Sequence, residues 1–208
     1  RLFEALLQSI DQRFTDAAGA VPSLADWAVN TPVFLDGRPF TFHRHEYLIE
    51  PYQDDHPYQV EEKAAQLGLT SRARLGAIYK ARYYSYKGIL YLFPSKTDVS
   101  DFARGRVDPL IEDNPDTIGK LIQNTDSINI KRIRNTFFYF RGMTSRVGLK
   151  SVPADYIIFD ELDEAPQNAV DMAMERMGHS EHRERKQSQG LTACHGAERC
   201  LERDDDCQ

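Results

Sequence analysis

The chain has 208 residues, of which 41% are hydrophobic and 28% charged, and its formal net charge is −6. These values suit one or two globular cores and exclude a wholly disordered chain or a basic nucleic-acid coat. No apolar run approaches the roughly 18–20 residues that span a bilayer, and no secretory leader pattern is expected. Cys194, Cys200 and Cys207 cluster at one end, which does not read as a disulfide framework; a reducing, cytoplasmic compartment fits better. The first residue is not Met, so the chain is read as a possible fragment.

Leu2, Phe3, Leu6, Leu7, Ile10 and Phe14 recur at helical period, and Ser23 caps a second short helix over Leu24–Ala28. Together they define an N-terminal helical segment, residues 1–30. From Thr31 to Pro57 the chain is aromatic and proline-rich, which predicts loops around a helix near Glu46. A short strand is expected over Gln59–Ala65 and a helix over Thr70–Tyr84. Gly88–Phe93 is a continuous apolar run stopped by Pro94, the pattern of a strand buried on both faces. Asp98–Leu110 reads as helix. Ile128–Ile133 and Thr136–Phe140 read as two strands joined by a basic turn, with a helix start near Ser145 or Ser151. Asp155–Phe159 is the clearest strand and runs into Asp160-Glu161. Strands alternating with helices predict an α/β fold over residues 31–180. Past Met177 the periodicity disappears, and residues 181–208 read as a poorly structured tail.

The chemistry is concentrated at two places. An aliphatic strand ending in Asp160-Glu161 delivers one carboxylate that can hold Mg²⁺ and a second that can polarise a water. Upstream, Lys63-Ala64-Ala65-Gln66-Leu67-Gly68-Leu69-Thr70 fits the frame of the phosphate loop G-x-x-x-x-G-K-S/T with two exchanges. Lys63 replaces the first glycine and Leu69 the usual lysine. A lysine at the front of the loop can still reach the terminal phosphates, and the following helix N-terminus supplies N–H donors. The loop precedes a helix and the acidic strand comes later, with a buried strand between, the order a nucleotide-binding core requires.

These segments resemble the ATPase part of phage terminase large subunits, whose phosphate loop carries a lysine or arginine at its front. Leu92–Lys96 with Phe102–Leu110, Phe140–Ser145 with Leu149–Ala154, and Asp160–Pro166 resemble further segments of that family in the family's order, over roughly residues 24–180. The resemblance implies a P-loop NTPase-like fold with a mostly parallel central sheet flanked by helices. It also implies ATP and Mg²⁺ as cofactors. Lys63 would contact the γ-phosphate, Ala64, Ala65, Gln66, Leu67, Gly68 and Leu69 would form the loop, Thr70 and Asp160 would bind Mg²⁺, and Glu161 would activate water. Implied partners are double-stranded DNA, a terminase small subunit and the capsid portal, in a homo-oligomer in the host cytoplasm with no membrane. The family's glutamine for adenine has no counterpart near Phe40–Tyr47, and its coupling motif and nuclease domain are not evident. The natural sequence is therefore expected to end near Arg185, with residues 186–208 read in a shifted frame.

Other signals are weaker. Cys194, His195, Cys200 and Cys207 lack the paired spacing of a zinc site. His43, His45 and His56 read as packing or surface residues, and Asp54-Asp55 as a turn. Lys131, Arg132, Arg134 and Arg141 flank aromatics and suit a solvated strand edge better than a phosphate track, while Arg72 and Arg74 follow the loop closely enough to touch phosphate or DNA. Two rival readings stand beside the motor: a DExD-type helicase, from Asp160-Glu161-Leu162-Asp163, and an inactive prophage remnant, from the irregular loop with Glu61 and Glu62 beside it.

Overall fold

A computed structural model describes residues 21–56, 58–62, 66–84, 86–123, 127–144, 152–177 and 188–192. The expected helix over Leu2–Phe14, the helix start near Ser145 or Ser151, and the cysteine cluster lie outside these residues. Helix α1 (Leu24–Asn30) begins at Ser23, whose hydroxyl accepts from the Asp26 N–H at 3.1 Å. Its Trp27 lies 5.9 Å from the Tyr79 ring, and the Tyr79 hydroxyl donates to the Pro22 carbonyl at 2.5 Å. An Asp36-Gly37 turn with positive φ at both residues joins the short strands β1 (Phe34–Leu35) and β2 (Arg38–Pro39), as a tight hairpin demands. A 3₁₀ turn, Glu46–Leu48, leads into α2 (Ile49–Gln53), close to the helix expected near Glu46.

Next come β3 (Tyr58–Glu61), α3 (Leu69–Tyr83) and β4 (Gly88–Phe93). Helix α4 (Lys96–Phe102) opens on a capping box in which Ser95 and Asp98 exchange side-chain and backbone hydrogen bonds. A π-helical turn, Ala103–Val107, then continues it into α5 (Asp108–Glu112), so the expected helix over Asp98–Leu110 is present but wound unevenly. After β5 (Ile122–Gln123), the strands β6 (Ile130–Ile133) and β7 (Thr136–Gly142) form the hairpin expected from their sequence. Strand β8 (Tyr156–Asp160) follows, then α6 (Gln167–Met177) and β9 (Ser188–Thr192).

Seven of these strands form one sheet in the order β3-β9-β8-β4-β7-β6-β5. The first five run parallel, and β6 then pairs antiparallel with β7 and β5 antiparallel with β6. The fold is thus the mostly parallel α/β sheet flanked by helices that the sequence predicts. Alternation along β4 and β8 divides the core in two. Ile89, Tyr91 and Phe93 join Tyr156 and Ile158 on the face packed by α3, whereas Leu90, Leu92, Ile157 and Phe159 face Ala169, Ala173 and Met177 of α6. At the base of the sheet the buried Asp155 carboxylate accepts the backbone N–H groups of Lys87 (2.5 Å) and Gly88 (3.2 Å), which ties the start of β8 to the start of β4.

Strand β9 departs from expectation, because Ser188–Thr192 falls within the tail read as poorly structured. Its ladders to β3 and β8 are made by backbone groups, and Ser188-Gln189-Gly190-Leu191-Thr192 carries a single apolar residue, Leu191, so no apolar run marks it in the sequence.

This packing generates two predictions about stability. At Gly142 an added Cβ would lie 2.7 Å from the carbonyl carbon of Ser95. Gly142→Ala is therefore expected to cost about 1–3 kcal/mol in urea unfolding, and an unchanged midpoint would refute the close approach. Burial raises the Tyr156 phenol to about 12 and also lifts that of Tyr52. Both stay neutral in the fold at a pH where the unfolded chain ionises. Stability should therefore be complete below about pH 10 and fall as pH rises toward 12. Phenolate absorbance should then appear together with loss of circular dichroism rather than before it.

Candidate active site at the carboxyl edge of the sheet

Strand β9 sets the geometry of the candidate site, for Thr192 pairs with Glu61 on one side and with Asp160 on the other. The last residues of β3 and β8 are therefore level, two strand spacings or about 10 Å apart, and both chains leave the sheet at the same edge. Helix α3 starts at that edge as well. Alternation puts Asp160 on the side of Tyr156 and Ile158, the face that α3 covers. The end of β3, the start of α3 and Asp160-Glu161 thus lie at one edge of the sheet.

Lys63, Ala64 and Ala65 lie outside the described residues. Gln66 is exposed and has φ +64, and Leu67 is exposed, its carbonyl accepting from the Tyr47 hydroxyl at 3.1 Å. Gly68 is the N-cap of α3, with φ +83 and no side-chain acceptor. A Cβ there would meet Leu48 Cδ1 at 3.1 Å in a left-handed conformation, so glycine suits the turn best. Leu69 is buried at the first helical position, which anchors the helix start, and Thr70 follows it half-buried. No acidic side chain stands in the first turn of this 15-residue helix. Its N-terminal dipole is therefore left available to an anion.

Asp160 is buried, and its Oδ2 accepts from the Tyr91 hydroxyl at 3.1 Å. Glu161 is exposed, in the left-handed region at φ +57 and ψ +53. A β-strand delivering a glutamate in that conformation stores strain of the kind found at functional sites. Among the described residues no group of three or more His, Cys, Asp or Glu forms a metal cage.

Several cations read from the sequence lie elsewhere. Arg72 is buried and pairs with Glu61 at 3.1 Å while donating to the Pro51 carbonyl and to Gln59. Arg74 is buried too, donating to the Arg106 carbonyl (2.6 Å) and the Ser71 hydroxyl (2.8 Å), and burial lowers its pKa. Neither arginine is presented to phosphate, because both brace α3 against neighbouring segments. Lys131 is bridged to Asp108 at 3.0 Å, Arg132 donates to the Arg134 carbonyl in the hairpin turn, and Arg134 donates to the Arg82 carbonyl in the last turn of α3. Phe40, Phe42 and Tyr52 form a three-ring cluster with centroids 5.1–5.4 Å apart, so the upstream aromatic segment packs inward apart from Tyr47. His43, His45 and His56 are exposed, as expected. Tyr91 was missed from sequence; its one signal is a hydroxyl inside the apolar run Gly88–Phe93.

The pattern of the family described as phage terminase large subunit gpA, ATPase domain, matches residues 53–189. The chain belongs to that terminase family. The match runs past Arg185, where the tail was expected to change frame. Among solved structures the terminase chain is similar to the Thermus phage P74-26 large terminase ATPase domain, at 14% identity and TM-score 0.55, over 75% of this chain and 64% of that one. A large terminase from a thermophilic bacteriophage is similar at 11% identity and TM-score 0.45, over 66% of this chain and 32% of that one. The same phage enzyme in complex with ADP is similar at 12% identity and TM-score 0.44, over 62% and 31%. The terminase chain thus spans 64% or less of each of these structures. No curated protein sequence matches it. Among its described residues no helix is long and apolar enough to cross a membrane.

The left-handed Glu161 generates a prediction of opposite signs. Glu161→Gly removes the side-chain clash of that conformation and is expected to raise stability by about 1 kcal/mol in denaturant unfolding, even where function is lost. A destabilised glycine variant would show that the observed backbone is relaxed.

Proposed function

We propose that this chain is the ATP-hydrolysing part of a viral DNA-packaging motor. The observation that carries the reading is the shared level of Glu61 and Asp160 on either side of Thr192, which supports a loop and a pair of acids serving one triphosphate. Lys63 would contact the γ-phosphate, and backbone N–H groups of Ala64, Ala65, Gln66, Leu67, Gly68 and Leu69 would cradle the phosphates. Thr70 and Asp160 would be the oxygen donors for Mg²⁺. A hydroxyl and one carboxylate fit this cation, which keeps water and substrate phosphates as its remaining ligands. When bound, Mg²⁺ neutralises charge on the phosphate oxygens. Glu161, exposed at the strand end, orients the attacking water and takes its proton.

Coupled to turnover, the motor would move double-stranded DNA into a procapsid, as a homo-oligomer at the portal with a small-subunit partner, in the host cytoplasm. The glutamates beside the loop, which favoured an inactive remnant, weigh less once Glu61 is held by Arg72 at 3.1 Å. Phosphate release from ATP tests the reading directly. Glu161→Ala is expected to lower turnover at least about 100-fold with nucleotide binding retained, and Lys63→Ala to weaken binding itself. Equal, background-level release from the wild type and Glu161→Ala would leave the remnant as the better account.

A further inference from the structure

Tyr91 sits at the middle of the central strand β4, 1% exposed, among rings that fix its position. Phe93 stacks on it at 4.9 Å and 12°, Phe102 lies at 4.9 Å and Phe140 at 6.0 Å. A phenylalanine would fill the same aromatic pocket without a polar atom to satisfy, and burying a hydroxyl is unfavourable unless it finds a partner. The partner is Asp160, whose Oδ2 lies 3.1 Å away. Tyr91 is level with Ile158 in the β4–β8 ladder, so its ring reaches diagonally to the residue two positions further along the same face. The carboxylate assigned to the cation is thus gripped from beneath by a donor that cannot shift, because three rings hold it.

Building on the reading of Asp160 given above, we propose that Tyr91 is a positioning residue that orients this carboxylate for a divalent cation. The hydroxyl restricts rotation of the carboxylate and so pre-arranges it for an incoming ion, and a neutral donor does this without cancelling the negative charge that the ion needs. The cluster on the α3 face is therefore more than packing: it fixes the height and direction of one hydroxyl at the carboxyl edge of the sheet.

The test uses the affinity of the full chain for fluorescently labelled ADP, titrated with Mg²⁺ and repeated in EDTA, for the wild type, Tyr91→Phe and Asp160→Asn. Tyr91→Phe is expected to raise the half-saturating Mg²⁺ concentration about tenfold, with affinity in EDTA unchanged and a folded melting transition retained. Asp160→Asn should remove the Mg²⁺ response. If Tyr91→Phe leaves the Mg²⁺ titration unmoved while Asp160→Asn abolishes it, the positioning role is overturned and the site reading survives. A Mg²⁺ response intact in Asp160→Asn overturns both. A lower melting temperature in Tyr91→Phe with an unmoved titration marks a structural hydrogen bond only and also overturns the proposal.

Discussion

Everything at the carboxyl edge depends on the parallel register of three neighbouring strands. Because β9 pairs with β3 and β8 through the same residues, Glu61 and Asp160 are held level, and the chain leaves β3 and β8 at one height. A slip of one residue in either ladder would raise one end by about 3.3 Å and turn its side chains to the other face. A one-residue slip of β8 against β4 would likewise carry Asp160 off the α3 side, where Tyr91 reaches it. The core resists such a slip because β4 and β8 are buried on both faces, with Tyr91 and Phe93 among the residues on one side and Leu90, Leu92, Ile157 and Phe159 on the other.

The same constraint explains the fate of the basic residues near the loop. An arginine on the buried side of α3 must find acceptors inside the fold, since an unpaired buried charge is costly. Arg72 finds Glu61, Gln59 and the Pro51 carbonyl, which links α2, β3 and α3 directly behind the loop. Arg74 finds the Arg106 carbonyl and so ties α3 to the π-helical turn. Proximity in sequence to a phosphate loop is thus a poor guide to contact with phosphate: the helical period decides which side chains face the edge and which face the core.

What was legible in the sequence was whatever carries a period or a stop. The run Gly88–Phe93 before Pro94, the run Tyr156–Phe159 before two acids, and the Ser23 cap each encode an element by local rules. The order of loop, buried strand and acidic strand encoded the family. Elements supported by backbone pairing or by contacts distant in sequence were not legible. Strand β9 shows no apolar alternation, and the grip of Tyr91 on Asp160 spans two strands of the sheet. The left-handed backbone of Glu161 also left no trace, because glutamate is not a residue that announces that conformation.

The irregular loop is less anomalous against this geometry than as a motif. In the regular pattern the second glycine is followed by the lysine, at the first turn of the helix. In this chain that position is Leu69, buried as an apolar anchor for α3, while Gly68 keeps the left-handed cap and Thr70 keeps its place at the second helical position. In the proposed function Lys63 would supply the charge from the front of the loop, while the buried Leu69 packs at the helix start. The N-terminal dipole of a 15-residue helix with no acid in its first turn is untouched by that exchange. The attraction that this helix start offers to an anion is therefore a property of the helix and its glycine cap, and in the proposed function the lysine is a separate contribution.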